Sequence, residues 1–173
     1  MSEVEAEVGR FWRYSLELYA REGMPQALIA LQDRLGADVN LLLFCCWTAL
    51  SGQGRLSTDD LRRADEGIAG WRGDVTLPLR ALRSRIKGNP ERWALPGASE
   101  VRRQVLETEI ASERVTQGML ERMEMSPQGG GGGPADARAS LYNYLEVIGV
   151  EPAEHDRADL ETILAIASGD GSC

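Results

Sequence analysis

Arg80, Arg83 and Lys87 recur at i, i+3 and i+7, the spacing that stacks side chains in one row along a helix. Guanidinium forks bind carboxylates and phosphates through paired hydrogen bonds, so such a row could hold an anion. From Arg72 to Arg103 there are eight basic residues against three acidic ones, a local charge of +5. The whole chain has a net charge of −8, so the remainder carries −13. Two chemistries follow. The row could dock an unknown acidic protein partner, which would make the protein a non-enzymatic adaptor or regulator. Alternatively, Arg72, Arg80 and Arg83 could hold a phosphate- or carboxylate-bearing small molecule in a ligand-binding or catalytic domain. The plainer alternative is a solvated helix flank whose arginines pair with the chain's own acids.

Catalytic groups are sparse. The one histidine, His155, lies in an acidic stretch with Glu151, Glu154, Asp156 and Asp159. A carboxylate and a histidine one helical turn apart can share a metal, but a solvated acidic face explains the stretch equally. With the one histidine in the tail, a Ser-His-Asp or Cys-His site in the main domain is not expected. Asp59, Asp60 and Asp65 invite comparison with magnesium-binding helical enzymes, yet the first two suit the start of a helix, where acids are stabilising. Cys45 and Cys46 sit in an apolar run, as small buried thiols do. The run Gly129–Gly133 follows no strand and lacks the Lys-Ser/Thr ending of a phosphate loop. The reading leans away from an enzyme and expects no metal and no cofactor.

Two polar residues stand among apolar ones. Asp33 and Asn40 could enter a buried network with Arg72 and a tryptophan N–H, because buried polar groups need partners. Against this, Asp38 and Asn40 could simply satisfy the free N–H groups at a helix start.

The elements that must position these groups are all helical. The 173 residues have a mean hydropathy of −0.28 and 43% apolar content, enough for one packed core. Val4, Val8, Phe11, Trp12, Ser15 and Tyr19 define a first helical face, stopped at Gly23-Met24-Pro25. Leu28, Leu31 and Leu35 mark a second helix ending at Gly36. A third, capped by Asp38, runs through Leu41–Phe44 and Trp47 and is apolar nearly all round, which predicts burial. Ser57 begins a fourth with Leu61, Ala64, Ile68 and Trp71. After a turn at Gly73-Asp74, a fifth should bury Leu79, Leu82 and Ile86. A long helix capped by Ser99 shows a diluted face of Val101, Val105, Val115, Met119 and Met123. Beyond the glycines, Leu141, Tyr144, Leu145 and Ile148 mark one helix, and Leu160, Ile163, Leu164 and Ala167 another.

The motifs Phe11-Trp12, Leu18-Tyr19, Leu31-Gln32-Asp33, Asp38-Val39-Asn40-Leu41-Leu42-Leu43-Phe44 with Trp47, and Trp71-Arg72 resemble a small bacterial protein family over residues 9 to about 88. The resemblance implies an all-helical fold and no assigned activity. The expected architecture is therefore all-α: a bundle of about six helices over 1–125, a flexible Gly-rich linker at 126–134, and a tethered acidic helical hairpin at 135–173. That hairpin could fold back over the basic row. The acidic balance argues against general nucleic-acid binding, which draws its affinity from neutralised phosphates. No run is long and apolar enough for a membrane span, and the acidic N-terminus lacks the order of a secretory signal, so a cytoplasmic location is expected.

Overall fold

The computed structural model describes residues 9–129 and 131–169, so Val4 and Val8 lie outside the described residues. It is all-α, with α1 Arg10–Tyr19, α2 Met24–Leu35, α3 Val39–Leu50, α4 Thr58–Trp71, α5 Leu77–Gly88, α6 Ala98–Arg122, α7 Pro134–Val147 and α8 Glu154–Ser168. Among the described residues no helix is long and apolar enough to cross a membrane.

Local chemistry sets the helix ends. Gly36 closes α2 with φ +69°, a left-handed turn that glycine adopts without strain. Asp38 then caps α3, its Oδ1 accepting the Asn40 N–H at 2.8 Å. At the start of α4, Ser57 and Asp60 each accept the other's backbone N–H, at 3.1 and 3.2 Å. The acids at this start serve the cap and its neighbours: Asp60 also meets Arg63, and Asp59 meets Arg62. The long helix is capped by Gly97, at φ +83°, two residues before the expected cap Ser99.

From Asn40 to Ala49 every residue of α3 is buried. A helix apolar all round needs cover on every side, and α7 and α8 supply the side that α1, α2, α4 and α6 leave open. Leu141, Tyr144, Leu145, Leu160, Ile163 and Leu164 join the same core as Phe11, Leu42 and Trp47. The C-terminal hairpin is thus an integral part of one body rather than a tethered appendage. Polar pins fix it further: Leu56 N–H donates to Ser140 Oγ at 2.9 Å, and Asn143 Nδ2 donates to the Leu56 carbonyl at 2.8 Å.

The described residues before α7 also differ from a free linker. Gln128 and Arg55 exchange both backbone hydrogen bonds, at 2.7 and 2.8 Å. Gly132 takes φ +64° against the end of α3, where a Cβ would stand 2.1 Å from the Ala49 carbonyl oxygen. Glycine permits a close backbone approach here.

Gly73-Asp74 does not break the chain into a turn. Arg72–Thr76 forms a π-helical segment that carries α4 directly into α5. Four interactions hold it: Arg72 reaches Asp65 at 2.7 Å and Asp38 at 3.3 Å, Trp71 Nε1 donates to Ser112 Oγ at 3.1 Å, and the Thr76 and Ser112 hydroxyls lie 2.6 Å apart. Beyond it, α5 packs on α6 and the π segment, and no residue from 77 to 108 is buried. The expected buried side of α5 is therefore absent. Leu82 is exposed, and Leu79 and Ile86 are half-buried.

Candidate ligand cleft

From Glu109 to Gln117 the inward face of α6 is polar, while Leu120 and Met119 beyond it pack on the core. Glu109, Ser112, Thr116 and Gln117 are buried, whereas Val101 and Val115, which the apolar pattern placed inside, are exposed. Glu109, Glu113 and Gln117 stand at i, i+4 and i+8, so they form one stripe along the helix. Opposite that stripe lies a cleft of about 590 Å³, walled by α1, α2 and α3 on one side and α5 and α6 on the other.

Arg80 and Arg83 project from α5 onto the stripe. Arg80 Nη2 donates to Glu113 at 2.6 Å, its Nη1 to Gln32 at 2.8 Å, and its Nε to Glu109 at 3.4 Å. Arg83 grips Glu109 with both Nε and Nη2. Glu109 also lies deeper than the arginines, its side chain 8% exposed against 30% for Arg80 and 27% for Arg83. An approaching solute therefore meets guanidinium before carboxylate. A guanidinium has five N–H donors, and Arg83 Nη1 has no hydrogen-bond partner among the described residues.

A chain of hydrogen bonds runs inward from Glu113. As a carboxylate it can only accept, so Asn40 must present Nδ2 to it. Asn40 Oδ1 then accepts from Gln117 Nε2 at 2.9 Å. That orientation leaves Gln117 Oε1 buried without a partner, and Ser15 Oγ on the facing side of the cleft is likewise unpartnered. Burial pushes the Glu113 carboxyl above its ordinary value, with Asp38 adding to the rise and Asn40 and Arg80 opposing it. Burial also raises the Tyr19 phenol at the cleft's edge, Arg80 working against that rise and Glu113 with it.

Most of the remaining cleft wall is apolar. Trp12, Leu16 and Tyr19 of α1, Ile29 of α2, Val39 and Leu43 of α3, and Leu106 and Ile110 of α6 line it. Leu16, Tyr19, Ile29, Leu106 and Ile110 remain 39–51% exposed. Trp12 and Tyr19 thus belong to the cleft wall, although the sequence periodicity put them on the core face of α1.

The other sequence-selected residues fall elsewhere. Arg72 faces a separate cavity of about 390 Å³ with Asp38, Asp65 and Tyr144, and Gln32, Asn40, Arg80 and Glu113 line both. Lys87 is exposed, with no ion pair among the described residues. Asp33 lines the cleft mouth and makes no hydrogen bond to Asn40. The buried network therefore runs from Asn40 to α6, while Arg72 and Trp71 are engaged at the π segment. Glu109, Glu113 and Gln117 escaped sequence reasoning, although their four-residue spacing opposite a basic row was a usable signal. In the tail, Asp156 is taken by Arg34 at 2.7 Å and by the Ala153 N–H at 2.9 Å, and His155 is exposed. Cys45 and Cys46 are buried, and burial pushes the Cys46 thiol up to about 12.

A family model described as "Protein of unknown function (DUF2390)" matches residues 10–120. The match runs from the start of α1 to near the end of α6, beyond the stretch of resemblance read from motifs, and includes every residue lining the cleft. No curated protein and no solved structure matches the chain.

Proposed function

The chain belongs to the DUF2390 family, and we propose that its helical domain binds a small amphipathic anion in the cleft between α1–α3 and α5–α6. One observation carries this reading. Large apolar side chains from α1, α2 and α6 stay exposed where they converge on a single concavity, and that concavity has a charged floor. Ligand sites have this composition: mostly apolar walls with a few polar groups that fix orientation. The apolar body would lie on Leu16, Ile29, Leu106 and Ile110, and its carboxylate or phosphate would meet the outer donors of Arg83 and Arg80. Arg72 has no part in the site, being held by two aspartates in the separate cavity.

The alternative, a basic row docking an acidic partner, has less support at these residues. Arg80 and Arg83 turn toward Glu109 and Glu113, which leaves Lys87 alone of the three outside an ion pair among the described residues. The acidic hairpin packs on α2, α3 and α4, not over the row.

Decanoate is a suitable probe, with decylamine as the control of opposite charge. Saturating ligand raises apparent stability, so decanoate should raise the melting temperature and decylamine should not. Ile29→Trp, which fills the cleft, and Arg83→Gln should each abolish the shift. No shift with decanoate, or a shift that survives Ile29→Trp, would overturn the assignment.

A further inference from the structure

The structure separates opposite charges that a single chain does not rejoin. Residues 77–108 form an arm, α5 followed by a loop and the first half of α6, without one buried residue. On it Leu95 is 60%, Val101 52%, Trp93 39% and Leu82 38% exposed. Arg85, Lys87, Arg92 and Arg102 belong to the same arm, and none has a carboxylate within ion-pair distance among the described residues. The Arg92 guanidinium lies 4.9 Å from the centre of the Trp93 ring, so cation and apolar surface are one patch.

The counter-charge is in the C-terminal hairpin. Between 134 and 169 there are seven acids and two arginines. Glu146, Glu151 and Glu154 cluster around the turn joining α7 to α8, exposed and without a cationic partner among the described residues. The hairpin packs on α2, α3 and α4, whereas α5 packs on α6 and the π segment.

We infer that the basic, apolar arm of one chain docks on the acidic α7–α8 turn of a second copy. A membrane or a nucleic acid would bring negative charge to a protein that carries −13 outside the basic segment. A second copy instead presents the complement. Two-fold symmetry would form the arm-to-turn contact twice, the closed arrangement commonest among homo-oligomers. Oppositely charged patches steer such encounters and weaken as salt screens them.

Sedimentation of the full chain across concentration, at low and high salt, tests this. The expected result is a dimer that dissociates as salt rises. Arg85→Glu with Lys87→Glu should weaken self-association roughly tenfold or more, as should Glu146→Arg with Glu151→Arg, because each places like charges face to face. An equimolar mixture of the two double variants should restore the dimer, since each then meets an opposite charge. Leu95→Ser, which changes no charge, should weaken the dimer at both salt concentrations. Circular dichroism confirms that each variant is folded. A chain monomeric throughout would overturn the inference, as would a salt-insensitive dimer untouched by the reversals, or a mixture that stays monomeric. Binding of the monomeric chain to anionic vesicles or single-stranded DNA, lost with the arm reversal, would overturn it in favour of those surfaces.

Discussion

The backbone N–H of Asp38 donates to the Tyr144 hydroxyl at 2.8 Å, joining residues 106 positions apart. Asp38 simultaneously caps α3 and receives Arg72, so the start of the central helix is fixed from α7 on one side and from the π segment on the other. Tyr144 is 1% exposed and lies beyond the family match, which ends at residue 120. The hairpin outside the match therefore positions the α3 terminus from which Asn40 reaches the cleft.

Tyr144→Phe keeps the ring and removes the acceptor. Leaving a partly buried N–H unpaired should cost about 1–2 kcal/mol, read as a lower urea midpoint with an unchanged slope. Deleting residues 134–169 should do far more, because it uncovers one side of α3. Loss of the near-ultraviolet dichroism of the tryptophans would report it.

Gly132→Ala combines a left-handed φ with a backbone atom in the way of the new methyl group. Its cost should be about 2 kcal/mol or more. Gly36→Ala is the control: its φ of +69° is similar, but nothing lies within 4 Å of its Cβ position. The difference between their urea midpoints isolates the close approach to Ala49 from the conformational cost.

Glu113 should make stability fall with rising pH. Its carboxyl is raised by burial in the folded chain, so the folded state holds a proton that the unfolded state has already released. The favourable contribution is complete below the ordinary glutamate value and is lost as pH rises through the raised one. In Glu113→Gln this dependence should vanish, and wild type should lose ground to the variant as pH climbs through that window. Denaturant melts at a series of pH values measure it; parallel curves would contradict the assignment.

Asp60 should act in the opposite direction. Burial works against its charge, but the Ser57 hydroxyl, the Ser126 and Ser57 N–H groups and Arg63 hold it below the ordinary aspartate value. Its stabilisation is present above that value and disappears as pH falls through the lowered one. Asp60→Ala removes a reciprocal cap and should cost about 1–2 kcal/mol at neutral pH. The deficit should shrink on acidification, measured on the same series of melts.

Helix existence was legible because the breakers and caps are local: Gly36, Asp38 and Ser57 act on their own neighbours. Burial was legible where a helix is apolar all round, as in α3. In α6 it held for Met119 and Met123 and failed for Val101 and Val115, because the inward face is polar from Glu109 to Gln117: apolar periodicity identifies a core face only when the opposing surface is apolar too. Arg80 and Arg83 reverse that condition, and their carboxylate partners on α6 lie 26 to 33 residues away. The same non-locality hid Trp12 and Tyr19, because a cleft wall and a core face share one helical period. Gly129–Gly133 reads as a linker from composition, and only the proximity of Ala49 gives Gly132 its role.

The π segment also sets the angular phase of α5. A π turn holds one residue more than an α turn, and each residue of a regular helix rotates the next by about 100°. Winding Arg72–Thr76 as ordinary α-helix with all its residues kept would leave α5 helical and its length intact, yet turn Arg80 and Arg83 by about that angle relative to α4. The arginines would leave the Glu109–Glu113 stripe and Leu82 would swing toward it. A single extra residue thus acts as an indexing tooth, deciding which edge of α5 the cleft receives.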